Sequence, residues 1–174
     1  MNWTELLKKD IEIAYHSAEK LLDKVDPESL DWKPVTGSNW MTVGQLLKHL
    51  SQGCGAGCKG FVTGDWGMPA GAKMEDLPPE EMMPPAEKLP GIGSVAEVKK
   101  LLSEDKALAL QMVDQAGEND LDTRKVAAPW APGMEASLGW FLRMMVQHLD
   151  LHKAQLFYYL KLQGKPVNTG DLWG

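Results

Sequence analysis

The chain has little with which to staple or anchor itself. Two cysteines in 174 residues are too few for a disulfide framework, so the fold must rest on a buried apolar core and the thiols are expected to stay reduced. No apolar run approaches the roughly 20 residues that cross a membrane. The opening Met1-Asn2-Trp3-Thr4-Glu5 turns charged at once and has neither the basic start nor the apolar centre of a secretory leader. A soluble, cytoplasmic protein is expected. A basic tract is also missing: 18 Lys and Arg against 24 Asp and Glu give a formal charge of −6, which argues against nucleic acid as a partner. Repeats and low-complexity tracts are absent too, so residues 1–174 read as one domain with one core.

What the chain does have is helical periodicity. The longest pattern runs from Ser137 to Gln163, where Leu138, Phe141, Leu142, Met145, His148, Leu149, His152, Leu156, Tyr159 and Leu160 fall on one face at a period of 3.6 residues. Two histidines therefore lie inside an apolar stripe, four residues apart, where their imidazoles can converge on one point as a metal ion requires. A single histidine there would read as a core residue with a hydrogen-bond partner; two would each need their own buried partner.

In chain order, a first helix is expected from Trp3 to Val25, with Leu7, Ile11, Ala14, Ala18, Leu21 and Val25 buried. Asn2 would be its N-cap, with Glu5 placed as in a capping box. His16 lies about 200° around this helix from the stripe and reads as peripheral. Asp26-Pro27 closes the helix. A loop follows whose Trp32 and Trp40 are assigned to packing. Thr42 and Gln45 have capping-box spacing and open a second helix with Val43, Leu46, Leu47, Leu50 and Cys54 inward. His49 borders that buried face and is the candidate third ligand. Cys54 and Cys58 read as small buried residues, among glycines at 53, 55, 57 and 60 that suit close backbone packing.

From Gly64 to Gly93 six of the eleven prolines gather, and the stretch reads as an irregular crossover that lets the next helix run parallel to its predecessor. Met68, Met74, Met82 and Met83 within it either fill gaps or line an adaptable apolar entrance. Ser94 opens a third helix to Ala116, ended by Gly117. Glu118 to Glu135, with Pro129, Trp130, Pro132 and Gly133, reads as irregular. The expected architecture is all-α, a four-helix bundle with long irregular crossover connections.

This layout resembles the DinB/YfiT-like superfamily of four-helix metalloproteins over essentially the whole chain. The resemblance rests on Trp40-Met41-Thr42-Val43-Gly44-Gln45-Leu46-Leu47-Lys48-His49-Leu50, on His148-Leu149-Asp150-Leu151-His152-Lys153-Ala154-Gln155, and on the closing Gly164-Lys165-Pro166. It implies that His49, His148 and His152 bind a divalent metal ion. Three neutral nitrogens suit zinc or nickel and leave a position open for chemistry on a water or a thiol. Relatives of this kind include thiol S-transferases and isomerases, so the resemblance narrows the metal more than the reaction.

The function expected is therefore a metal-dependent enzyme of the S-transferase or hydrolase type, acting on a small molecule, with a low-molecular-weight thiol as a candidate partner. The alternative is a non-catalytic metal-binding or stress-response protein in which the ion ties the second helix to the fourth. No general base is legible: Asp150, two residues after His148, should point away from the ligands. Gln45 and Gln155 are the available outer partners, the former already explained by its capping box. A homodimer through an exposed helical face is compatible with such a bundle; neither a membrane nor nucleic acid is expected as a partner.

Overall fold

The computed structural model describes residues 2–131 and 133–174; Met1 and Pro132, both named above, lie outside the described residues. Helix α1 spans Trp3–Leu22. It stops three residues before the expected Val25, because the N–H groups of Lys24 and Val25 turn back to the carbonyls of Leu21 and Leu22, a tightened final turn that still buries Val25. Asn2 accepts the Glu5 N–H at 2.9 Å, and Ser94 accepts that of Glu97 at 3.2 Å. Both boxes are half formed, whereas Thr42 and Gln45 exchange both bonds.

The second bundle helix is broken. Helix α2 covers Val43–Leu50 and α3 resumes over Cys54–Thr63, where the sequence suggested one helix continuing to Cys54. The restart has no side-chain cap of its own. Asp105, from a different helix, supplies one by accepting the N–H groups of Gly55 at 2.9 Å and Ala56 at 3.0 Å, and so satisfies donors that a helix start leaves orphaned. Gly55 is required for that approach, since a Cβ there would stand 2.2 Å from the Asp105 carbonyl oxygen.

The proline-rich crossover is less irregular than its composition suggests. It carries a short helix α4, Pro79–Met82, and 3₁₀ turns at Met74–Asp76 and Ala86–Lys88, each no longer than one turn. Its end is pinned to the start of α2, where the Gln45 amide donates to the carbonyls of Glu87 and Leu89. Helix α5, Val95–Thr123, therefore begins beside the start of α2. It ends beside the end of α3, where Arg124 donates to the carbonyls of Phe61 and Val62. The two run parallel, as the crossover reading expects.

Gly117 does interrupt helical geometry, at φ 70° and ψ 165°, but the chain kinks and regains a helical course to Thr123. The segment expected to be irregular up to Glu135 thus starts as helix. It then forms a two-stranded antiparallel ribbon, β1 Lys125–Ala127 with β2 Glu135–Ser137, Val126 opposite Ala136. The ribbon leads directly into α6, Leu138–Leu162. After Gly164 a further short helix, α7 Thr169–Trp173, opens with an Asn168–Asp171 capping box, a pairing that was not expected.

The protein is all-α apart from the ribbon, a bundle of α1, the broken α2–α3, α5 and α6 around one apolar core. Leu7, Ile11, Leu46, Leu47, Leu102, Phe141, Leu142 and Leu156 are fully buried there, each contributing about 1.5–3 kcal/mol relative to exposure. No described helix is long and apolar enough to cross a membrane.

Candidate metal centre

His49 stands on the last turn of α2, and His148 and His152 are one turn apart on α6. The bundle brings all three together. His49 Nε2 lies 3.1 Å from His148 Nε2, and His152 Nε2 lies 3.0 Å from the same atom. The three rings meet nearly edge to face, at 87–89°, so their lone-pair directions converge instead of stacking. Gly53, in the break between α2 and α3, permits this packing: a Cβ there would stand 3.0 Å from the His148 ring.

The protonation of His152 follows from its neighbours. The Met41 carbonyl can only accept, so the Tyr159 hydroxyl, 3.0 Å away, donates to it. The Tyr159 oxygen then accepts from the Gln155 amide nitrogen at 3.1 Å, which turns the Gln155 carbonyl oxygen toward His152 Nδ1, also at 3.1 Å. Nδ1 therefore carries the hydrogen and Nε2 is left with its lone pair facing the other two rings. Trp32 and Trp40 pack edge-on against Tyr159, with ring centroids 5.4 and 6.2 Å away, and hold the far end of this relay. Their packing role is as expected, though what they brace is the site.

Burial depresses all three imidazoles. His49 and His148 are lowered to about 4, desolvation first and neighbouring histidines second. His152 is also lowered by burial, a shift its bond to Gln155 opposes. At neutral pH the rings are uncharged, and with His152 Nε2 bare, a single N–H would have to serve both short contacts. A cation at the centre removes that conflict. Two nitrogens each about 2.1 Å from one ion stand about 3.0 Å apart at a right angle and about 3.4 Å apart at a tetrahedral angle. The observed spacings are close to that range, and the ligand atoms all lie within 4.8 Å of one another, so the group could hold a metal ion.

The other candidates separate cleanly. His16 is exposed on α1. Cys54 and Cys58 are fully buried free thiols; the hydrogen bond that the Cys58 thiol shares with Cys54 and burial push Cys58 well above its ordinary range, which makes it inert. Asp150 pairs with Lys153 at 2.8 Å and takes no part in the histidine group. Gln45 is spent on its cap and on the crossover, whereas Gln155 is hydrogen-bonded to His152. Tyr159 was read only as a core residue, yet its spacing was informative: His152, Gln155 and Tyr159 follow one another at i+3 and i+4 on the same helix face.

Beside the cluster a cavity of about 680 Å³ opens, bordered by His49 and His148 and by Met74, Met82 and Met83 of the crossover. The entrance reading of these methionines fits; Met68 instead faces a separate depression.

Two comparisons bear on this geometry. The family model described as the DinB superfamily matches residues 10–156, a span that includes all three histidines and at least part of every bundle helix. A search of curated proteins found no match.

Proposed function

The chain belongs to the DinB superfamily, and from that premise we propose that His49, His148 and His152 bind one zinc or nickel ion at the centre of a metal-dependent enzyme of the thiol S-transferase or hydrolase type. The observation that carries this reading is the convergence of three neutral imidazole nitrogens, one of them fixed as an acceptor by the relay from Met41 through Tyr159 and Gln155. Neutral nitrogen donors of this kind suit zinc and nickel better than magnesium or calcium.

When bound, such an ion supplies Lewis acidity, lowering the pKa of a water or a thiol at its remaining position. The chain's own groups supply the rest. Gln155 holds the His152 ring and its tautomer. Gly53 keeps the His148 ring unobstructed, and the crossover methionines border the adjoining cavity. A purely structural ion tying α2 to α6 would need no adjoining cavity, which favours the enzymatic reading over that alternative.

The test is elemental mass spectrometry on protein purified without an affinity tag. Near-stoichiometric zinc or nickel is expected, lost in both His49→Ala and His148→Ala. Wild-type protein that remains metal-free after incubation with zinc would refute the site. Metal-loaded protein is then assayed for thiol transfer to an electrophile and for hydrolysis, with His148→Ala expected to abolish turnover while the helical content is retained.

A further inference from the structure

The cavity beside the histidines is far larger than a bound water or a thiol group needs. A space of about 150 Å³ already accommodates benzene, so about 680 Å³ has room for several ring-sized units. Its walls are mainly apolar and soft. Trp66 and Trp130 form one part, and Met74, Met82, Met83 and Met145 come from three separate segments. Thioether side chains adapt to irregular shapes and make favourable contacts with aromatic rings.

The charge of the lining is equally selective. In a chain of formal charge −6, no carboxylate lines this cavity among the described residues; its one formally charged side chain is Lys48. Lys48 has no ion-pair partner among the described residues. Gln52 and Gln147 complete the polar contribution next to the histidines. A cationic ligand would find no counter-charge here, while a neutral or singly anionic one meets an available ammonium.

We infer that this cavity binds a predominantly apolar, aromatic small molecule, neutral or carrying one negative charge, with the end to be transformed lying against His49 and His148. Only the orientation rests on the metal-centre reading; the preference for apolar and anionic ligands rests on the lining alone.

Gly57 sets the size of the space. A Cβ at this position would stand 2.4 Å from Met145 Sδ and 3.0 Å from its Cγ. The Met145 side chain would have to swing aside, and both residues line the cavity. Gly57→Ala thus fills part of the space with the protein's own thioether, and Gly-to-Ala inside α3 does not disfavour the helix.

The experiment titrates the full chain, with and without chelator, with two fluorescent aromatic probes: anionic 8-anilinonaphthalene-1-sulfonate and cationic thioflavin T. One anionic probe per chain is expected, bound about tenfold or more tighter than the cationic one. Gly57→Ala should weaken it about tenfold, and Lys48→Glu should abolish the preference between the two probes. Leu151→Glu, at a position 69% exposed on the cavity's edge, gives a second reading of the same weakening should the Gly57 variant not fold.

Equal affinity for the two probes, or anionic binding unchanged in these variants, overturns the inference. Probe affinity that falls as protein concentration rises through a dimer transition would assign the apolar edge to a second copy, and also overturns it. The two readings fail separately: probe binding that persists in protein unable to take up metal keeps the cavity and removes the metal centre. Stoichiometric metal with probe binding indifferent to the variants does the reverse.

Discussion

The polar clusters around Asp105 and around His148 are built on opposite principles. Around Asp105 every group is matched: its carboxylate accepts from Tyr15 at 2.7 Å and from the N–H groups of Gly55 and Ala56. Around His148 the Nε2 atoms stand 3.0 and 3.1 Å apart, and with His152 Nε2 bare a single N–H would have to serve both contacts. A saturated cluster has nothing left to offer a ligand and serves architecture, here the restart of the broken second helix. An unsaturated one, assembled from two helices, could hold an ion.

The sharpest way to break this contrast is to remove the centre of the saturated cluster. Asp105→Ala leaves two N–H groups and the Tyr15 hydroxyl buried without partners, at about 1–3 kcal/mol for each unsatisfied group. Partial relaxation brings the expected loss to about 3–5 kcal/mol, read by urea unfolding. Metal content per folded molecule should not change. A loss below about 1 kcal/mol would show that the break between α2 and α3 does not depend on this cap.

The two clusters were also unequally legible in the sequence. His148 and His152 announce themselves because a helix places i and i+4 side by side, and His49 because it borders an apolar stripe; family motifs then join the three. Asp105 gave a signal too, standing in register with Val98, Leu102, Ala109 and Met112 on the buried face of α5, but its partners are 49 to 90 residues away and only the packed bundle reveals them. The same limit explains the break after Leu50. Glycines weaken the helix locally, while its restart at Cys54 is capped by a carboxylate from another helix. Proline density likewise gave the crossover's boundaries and direction but not its single turns. The ribbon before α6 is three residues per strand, too short for alternation to emerge.

A smaller effect is expected where the histidine cluster borrows the logic of the saturated one. Gln155 is matched on both sides, to His152 and to Tyr159. Gln155→Leu should keep the fold and lower metal affinity about 10–100-fold, the usual result of losing an outer partner that fixes a ligand ring. Calorimetric titration with zinc measures it. Tyr159→Phe, which frees the Gln155 amide to flip, should weaken binding less. Affinity unchanged in both variants would mean that the rings are oriented by packing alone.

A further expected effect distinguishes the clusters by the sign of their pH response. His49 and His148 sit at about 4 in the folded protein against 6.5 unfolded. Between those values the unfolded chain holds the extra protons, so the stability of the metal-free protein falls as pH drops from about 6.5 toward 4. Burial raises the Asp105 carboxyl above its ordinary value, an effect its hydrogen bonds oppose. Its contribution is therefore greatest at low pH and declines as pH rises through its folded-state pKa. Urea unfolding of metal-free protein across pH 4 to 7 separates the two. Replacing His49 and His148 together by alanine should flatten the loss of stability on the acid side. Asp105→Asn, which cannot titrate, should steepen it, because the opposing contribution has gone. Parallel profiles in both variants would mean that the two clusters respond to pH alike.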